Sequence, residues 1–194
     1  MNFIETIKVV DGKAQNLDLH IKRSSGTILH NFGIIKELPL AELVYFNVKL
    51  PLNGVYKLRV IYSRDIVNYT MEPYTPKIVK TVRIVEGGDI DYRFKYENRG
   101  AIDSLFEKRG DCDDVLIVKD GLITDTSYCN VVFTDGNNYF TPANPLLKGT
   151  KREYLLMNGY LRERAIRESD IKRYSGVFII NAMLEMTPVS ISLS

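Results

Sequence analysis

Lys95 lies in the stretch YRFKYENRG, which runs from Tyr92 to Gly100. It is the side chain of this sequence that is best suited to act as a nucleophile. A lysine amine loses its proton when it is desolvated or placed near other cations, and the neutral amine then attacks an aldehyde carbon. The simpler alternative is a solvated lysine at the start of a helix. The choice between a nucleophilic amine and a surface lysine depends on the rest of the chain.

A second group of residues could bind a phosphate. Arg23 offers a planar fork of donors suited to bidentate contact with an oxyanion. Gly149 and Thr150 precede a predicted helix, where unpaired backbone N–H groups and the helix dipole favour an anion and the threonine adds a hydroxyl. Asn181 and Ala182 end a predicted strand and would add further amides. Taken singly, each of these residues is equally consistent with a cap or a surface position.

Asp125 and Asn130 form a third candidate pair, in the stretch DGLITDTSYCNVVF. A carboxylate in contact with a basic group favours the protonated, positively charged form of that group. Asp125 could supply such a contact, or it could be an ordinary turn residue. Asn130 could equally cap a strand.

The composition excludes several classes of protein. The 194 residues include 26 basic and 24 acidic side chains, so the charge is nearly balanced and no basic run suggests nucleic-acid binding. Two cysteines and two histidines make a zinc site or a Ser-His-Asp arrangement difficult to assemble. No Gly-rich phosphate loop, signal-peptide pattern or apolar run long enough for a membrane span is present. We therefore expect a soluble, cytoplasmic protein without a metal site.

Several elements are predicted in the first part of the chain. Alternating residues around Asp11-Gly12 indicate a β-hairpin. The stretch LDLHIKRSSGTILHNFG indicates a helix that ends at Gly33, with His20 on its surface. A short helix in PLAELVYFNV and a strand from Val55 to Ser63 follow. The PYTP stretch at residues 73–76 marks a linker, so we predict a small α+β domain at 1–74 and a larger domain at 75–194.

The second part combines strands with segregated helices. Lys95 is predicted at a strand end just before the helix in ENRGAIDSLFEKRG. VLIVKDGLIT and NVVFTDGNNYF each predict two strands around an Asp-Gly turn, as in an antiparallel meander. A helix over KREYLLMNGYLRER and a strand over GVFIINAM complete a two-part α+β fold.

The order of these motifs resembles the class IV aminotransferase family, the pyridoxal-phosphate enzymes that include aminodeoxychorismate lyase and the D-amino acid and branched-chain aminotransferases. HIKR resembles the H-x-x-R whose arginine grips the cofactor phosphate, which here is Arg23. KYENR resembles the K-x-x-N-R of the lyases, whose lysine forms the Schiff base, which here is Lys95. DGLITDTSYCNVVF resembles G-x-V-x-E-x-x-x-x-N-I-F, with Asp125 in place of the usual glutamate. LLKGTKR and IINAMLEMTPV resemble the phosphate-binding signatures, the second in its lyase version.

The resemblance implies that Lys95 holds pyridoxal 5'-phosphate and exchanges protons at the substrate Cα or at cofactor C4′. The implied cofactor residues are Arg23, Lys95, Asp125, Asn130, Gly149, Thr150, Asn181 and Ala182. A lyase would release 4-aminobenzoate and pyruvate from 4-amino-4-deoxychorismate, whereas an aminotransferase would produce a keto acid. KYENR and INAM favour the lyase.

Two departures from the family pattern leave a third alternative. The chain begins at the family's second strand, and the stretch between Arg23 and Lys95 is shorter than usual. The shortened part normally helps to cover the substrate, and a homodimer, as is usual in the family, would supply that cover for the small amino substrate. The remaining alternative is a protein that binds the cofactor or a partner without turnover. Arg93, Arg99 and Lys151 are candidates for binding the substrate carboxylate only because a cation is required.

Overall fold

A computed structural model describes residues 1–192 as two compact units. The first unit comprises Met1–Pro76 together with Phe94–Asn98, and the second comprises Lys77–Arg93 with the chain from Arg99 onward. This division differs from the predicted 1–74 and 75–194, because the short segment around Lys95 belongs to the first unit. The segment joins that unit through backbone pairing with its first strand, which local sequence patterns do not reveal.

The first unit contains a four-stranded antiparallel sheet in the order β2-β1-β3-β4. Its strands are β1 (Phe3–Val10), β2 (Lys13–Ala14), β3 (Val55–Tyr62) and β4 (Ile66–Pro73). The predicted hairpin is confirmed: Asp11 and Gly12 have φ of 46° and 76°, the left-handed pair that a two-residue β-turn requires. β4 was not anticipated, since most of its side chains are exposed and show no apolar alternation.

One long helix and one short helix pack on this sheet. α1 (Leu17–Phe32) ends where Gly33 adopts φ 68° and donates its N–H to Leu29 O, as predicted. α2 (Leu40–Glu42) continues directly into one π-helical turn at Leu43–Asn47. The core between these layers includes the fully buried side chains of Phe3, Ile7, Ile28, Leu58 and Tyr62.

The second unit contains an eight-stranded sheet in the order β10-β9-β8-β11-β12-β5-β6-β7, in which β7 also pairs with β8. The strands are β5 (Thr81–Glu86), β6 (Asp114–Lys119), β7 (Leu122–Thr126), β8 (Asn130–Thr134), β9 (Tyr139–Pro142), β10 (Arg162–Arg164), β11 (Gly176–Ile180) and β12 (Thr187–Ser192). Both Asp-Gly hairpins are confirmed. The extra pairing joins Asp125 to Asn130 and closes six of the strands into a ring.

Two helices and two 3-10 segments complete the second unit. α3 (Gly100–Phe106) runs into a 3-10 turn at Glu107–Arg109, and a second 3-10 segment spans Glu168–Arg173. α4 (Thr150–Met157) is shorter than the predicted KREYLLMNGYLRER helix, because Gly159 at φ 73° leaves the helical region and residues 162–164 form β10. Within residues 1–192, no helix has the length and apolar character to cross a membrane.

Candidate active site

Lys95 is held against β1 rather than at the end of a strand. β5 ends at Glu86, and the segment containing Lys95 runs antiparallel to the first residues of β1. Tyr96 forms a β-bridge with Phe3, and the backbone N–H of Ile4 donates to Lys95 O over 2.8 Å. β2 pairs only with the far end of β1, so this edge is taken up by the Lys95 segment. The lysine is therefore placed by a strand pairing, with its residue half-buried.

Arg23 lies beside a wholly buried carboxylate on β1. Glu5 accepts bonds from Arg23 Nε over 2.9 Å and from Arg23 NH2 over 2.5 Å. The same carboxylate lies 2.5 Å from His20 Nδ1. Arg23 and His20 are three residues apart on α1, so both side chains reach one face of the helix. The predicted phosphate-binding arginine is thus one member of a buried Glu5, His20 and Arg23 cluster.

The charges of this cluster are strongly interdependent. Burial alone would raise the pKa of Glu5, but the Arg23 guanidinium and the His20 hydrogen bond outweigh it and lower that pKa to about 2. Burial lowers the pKa of His20, opposed by Glu5 and assisted by the positive charges of Arg23 and Lys95. The ring is therefore neutral at pH 7, with its proton on Nδ1 to donate to Glu5. The Lys95 amine accordingly lies within electrostatic range of this cluster.

Asp125 is the centre of a second cluster, in the second unit. Its residue is 5% exposed, and both carboxylate oxygens accept hydrogen bonds. Asn130 Nδ2 donates to one oxygen over 2.6 Å, and the backbone N–H of Leu147 donates to the other over 2.9 Å. Asn130 Nδ2 also donates to Leu147 O over 2.8 Å. The β7–β8 register and the loop before α4 therefore meet at this carboxylate.

The ionised form of Asp125 is disfavoured by its surroundings. Burial raises its pKa to about 6, and the two hydrogen bonds and the charge of Arg152 only partly offset that rise. Arg152 is itself 1% exposed and donates to Pro142 O and Glu163 Oε1, so its charge is already engaged. A buried carboxylate whose pKa is raised in this way is a candidate for a functional site.

Gly149 and Thr150 lie at the start of α4, beside this cluster. A Cβ at Gly149 would lie 2.1 Å from Asn130 Oδ1, so only glycine leaves room for the asparagine that holds Asp125. Gly149 is extended, with φ −69° and ψ 146°, and Thr150 is the first helical residue and is 3% exposed. Glycine is required here because a side chain would collide with Asn130, and not because the backbone is strained.

Asn181 and Ala182 follow β11, where the prediction assigned them backbone amides for phosphate binding. The Asn181 side chain organises its own turn: Oδ1 accepts from the N–H groups of Met183 and Leu184. Its Nδ2 donates to Cys129 Sγ over 3.2 Å, in the loop that joins β7 to β8. The turn at residues 181–184 is therefore tied to the loop between Asp125 and Asn130.

The three cations proposed for a substrate carboxylate have different environments. Arg93 is exposed and paired with Asp91 over 2.7 Å, and Lys151 is paired with Glu185 over 2.5 Å. Arg99 is more enclosed: its guanidinium stacks 4.0 Å from the Tyr128 ring centroid and donates to Ser127 O over 2.9 Å. Arg99 therefore supports the β7–β8 loop.

A cavity of about 540 Å³ lies in the second unit, lined by Asp91, Arg93, Lys119, Thr124 and Leu146 among others. Its described lining includes none of the predicted cofactor residues. Thr124 precedes Asp125 on β7, and successive strand residues point to opposite faces of the sheet. The cavity and the Asp125 cluster nevertheless share Leu146, whose backbone also hydrogen-bonds to Asp125.

Sequence reasoning missed Glu5 and misplaced His20. His20 was expected on the helix surface, but it is fully buried against Glu5. The sequence contained a signal that Glu5 is buried. Glu5 shares one face of a strand with three apolar residues at alternate positions, Phe3, Ile7 and Val9. A carboxylate on an inward face requires buried partners.

Comparisons with known proteins agree with this architecture. The family described as amino-transferase class IV matches residues 101–191. An uncharacterised protein of Haemophilus influenzae is 36% identical over 181 residues, which cover 92% of this chain and 96% of the relative. A crystal structure from Haemophilus somnus, a candidate 4-amino-4-deoxychorismate lyase, is 28% identical with a TM-score of 0.83, covering 94% of this chain and 96% of that one.

The fold extends to more distant structures. A hypothetical aminotransferase of Mycobacterium tuberculosis, solved with pyridoxal phosphate bound, has a TM-score of 0.75 at 20% identity, covering 98% of this chain and 81% of that one. The architecture is therefore that of the fold-type IV pyridoxal-phosphate enzymes. The chain belongs to the class IV aminotransferase family.

The described side chains have the chemistry that pyridoxal phosphate requires. Lys95 provides an amine within range of other positive charges, Asp125 a buried carboxylate, and Arg23 a guanidinium whose plane is fixed. The start of α4 offers backbone N–H groups beside Gly149, where a larger residue would displace Asn130.

Proposed function

We propose that this protein is a pyridoxal-phosphate enzyme in which Lys95 holds the cofactor through its amine. The single observation that carries the proposal is Asp125: a buried carboxylate, held by Asn130 and Leu147, whose charged form would gain from a cation beside it. A protonated pyridine ring is such a cation. Asp125 occupies the family's ring-nitrogen position, and its environment gives that position a physical purpose.

Each proposed residue has a distinct task. Bound pyridoxal phosphate supplies an electron sink for the substrate's Cα electrons. Asp125 keeps the ring nitrogen protonated, and Arg23 and the N-terminus of α4 bind the phosphate. Asn130 keeps Asp125 in place, and Gly149 leaves space for Asn130. Lys95 removes a proton from the substrate Cα and later returns one.

The proposed substrate is 4-amino-4-deoxychorismate, which loses its Cα proton and its side chain to give 4-aminobenzoate and pyruvate. KYENR and INAM, in their lyase form, support this substrate, as does the likeness to the Haemophilus somnus protein. The second candidate is amino transfer between an amino acid and a keto acid. The description of the matching family favours it.

The first experiment tests covalent capture. Purified protein incubated with pyridoxal phosphate should turn yellow, and borohydride should then fix the cofactor on the peptide containing Lys95. Lys95→Ala should lose the colour and the labelled peptide, whereas Lys13→Ala, which removes an exposed lysine of the first hairpin, should keep both. Wild-type protein that stays colourless and unlabelled would exclude the proposal.

The second experiment separates the reactions. Coloured protein given 4-amino-4-deoxychorismate should release 4-aminobenzoate and pyruvate in equal amounts. Amino transfer from L- or D-amino acids to a keto acceptor, without that release, would select the aminotransferase. Cofactor capture without either reaction would select the non-catalytic alternative.

We also propose that the active form is a homodimer that covers the small amino substrate. Light scattering on the cofactor-loaded protein should give twice the 22.2 kDa chain mass. A monomer that turns over substrate at the same rate would contradict this part of the proposal.

A further inference from the structure

We infer that Glu5 is a positioning residue that orients Arg23 for the cofactor phosphate, with His20 steadying the carboxylate from the other side. The inference rests on the proposed function, because it concerns the same cofactor. It goes beyond that function by giving a role to Glu5 and His20, two buried ionisable residues to which none of the motifs assigns a task.

The bidentate contact determines the orientation of the guanidinium. Arginine has five N–H donors in one plane, and Glu5 accepts from one on Nε and one on NH2. Two bonds to one rigid carboxylate fix the plane of the fork, and hence the directions of the other three N–H groups. A single bond would leave the guanidinium free to rotate about it.

The carboxylate is itself immobile. Glu5 is fully buried on the inward face of β1, between apolar neighbours Phe3 and Ile7, and both of its oxygens are bonded. His20 Nδ1 lies 2.5 Å from Oε2, and the His20 residue is also fully buried. A fully packed carboxylate with donors on both sides has one available rotamer, so it transfers its position to Arg23.

Charge alone would produce the opposite effect. A carboxylate beside Arg23 neutralises that cation and repels a phosphate, so a purely electrostatic Glu5 would weaken cofactor binding. Glu5 therefore strengthens phosphate binding only if the fixed orientation of Arg23 contributes more to the affinity than the neutralised charge takes away. The two accounts therefore predict changes of opposite sign for the same substitution.

The test compares two ligands that differ only in the phosphate. Pyridoxal phosphate and pyridoxal are titrated by visible absorbance into the wild type and into Glu5→Gln, which keeps the shape but removes the charge and one acceptor. We expect pyridoxal phosphate affinity to fall about tenfold to a hundredfold, by analogy with the loss seen when residues that orient metal ligands are removed. Pyridoxal affinity should change by less than about twofold. Glu37→Gln, at an exposed site of the same unit, should change neither.

A double-mutant cycle shows whether Glu5 acts through Arg23. The quantity compared is the ratio of the affinity for pyridoxal phosphate to the affinity for pyridoxal. In an Arg23→Lys background, which keeps the positive charge but not the planar guanidinium, Glu5→Gln should have no further effect on this affinity ratio. Should Glu5→Gln fail to give a cooperative thermal transition, His20→Leu removes one donor from the carboxylate and should lower the ratio by a smaller factor.

The outcomes separate this inference from the proposed function. One outcome is that the wild type captures pyridoxal phosphate on Lys95 while Glu5→Gln leaves the affinity ratio of pyridoxal phosphate to pyridoxal unchanged or raises it. That result overturns the positioning role and leaves the proposed function intact. Equal losses for both ligands also overturn it, because they indicate general destabilisation of the unit. Wild type without cofactor capture overturns both.

Discussion

Glu5 in the first unit and Asp125 in the second are both buried carboxylates, yet their pKa values move in opposite directions. The pKa of Glu5 is lowered to about 2, and that of Asp125 is raised to about 6. Burial is the largest single influence on each and raises both. The difference comes from their partners: Glu5 bonds directly to the Arg23 guanidinium, whereas Asp125 bonds to a neutral amide and a backbone N–H.

This difference separates a structural carboxylate from one suited to a ligand. The charge of Glu5 is already compensated within the protein, so Glu5 can serve as a fixed support. The charge of Asp125 is held in place by hydrogen bonds but only partly compensated, so a cation arriving beside it would be stabilised strongly. In this family member, the carboxylate without a directly bonded cation is Asp125, the residue that we propose faces the ring nitrogen of the cofactor.

The largest expected effect comes from removing the charge of Asp125. Asp125→Asn keeps nearly the same shape but cannot hold a protonated ring nitrogen by charge. We expect the rate of 4-aminobenzoate release, or of amino transfer, to fall by roughly two orders of magnitude, the scale of losing one preorganised charge-stabilising group. Steady-state kinetics at saturating cofactor measures this rate.

Covalent capture on Lys95 should survive in Asp125→Asn, because the amine is untouched. Asp111→Asn, at an exposed position after the 3-10 turn at Glu107–Arg109, is the control and should keep the wild-type rate. An Asp125→Asn enzyme with full activity would show that the two buried carboxylates do not differ in function.

The next largest effect concerns stability and comes from Glu5. Removing one partner of a buried ion pair costs roughly 3 to 5 kcal/mol, so we expect Glu5→Gln to lower the free energy of unfolding at pH 7 by about 3 kcal/mol. Because the folded pKa is below the ordinary value of 4.5, the stabilisation is present above pH 4.5 and is lost as pH falls towards 2. Urea unfolding at a series of pH values should show this acid loss in the wild type and a weaker one in Glu5→Gln.

Asp125 should show the opposite pH dependence. Its folded pKa of about 6 is above the ordinary 3.8, so its favourable contribution is present below pH 3.8 and is lost as pH rises through 6. As pH rises from 3.8 through 6, the unfolding free energy of the wild type should therefore decrease relative to that of Asp125→Asn. A difference that is constant with pH would mean that Asp125 is not buried in its charged form.

The smallest effects concern glycine contacts. Gly149→Ala would bring a Cβ to 2.1 Å from Asn130 Oδ1, and we expect a loss of about 1 to 3 kcal/mol from overpacking. Gly26→Ala is the matched control in α1, since a Cβ there would have no atom within 4 Å. It should stabilise the protein by roughly 0.5 to 1 kcal/mol by helix propensity. Thermal unfolding compares the two, and equal shifts would show that Asn130 moves aside freely.

Local patterns were informative wherever neighbours in sequence decide the structure. The Asp-Gly turns at residues 11–12 and 120–121 have the positive φ values that a tight hairpin requires, and Gly33 ends α1 as expected. The order of motifs along the chain was sufficient to indicate the family. The helix predicted through residue 164 failed because the sheet, through β10 and β9, competes for those residues.

The sequence by itself determined the hairpins and the main helix, because these depend on residues a few positions apart, and the order of its motifs indicated the family. Only the tertiary structure decided that residues 94–98 join the first unit, that Glu5 and His20 are buried together, and that Asp125 pairs with Asn130 beside Leu147. Burial and charge compensation arise from contacts between distant parts of the chain. For that reason the opposite pKa shifts of the two carboxylates could not be predicted from their sequence neighbours.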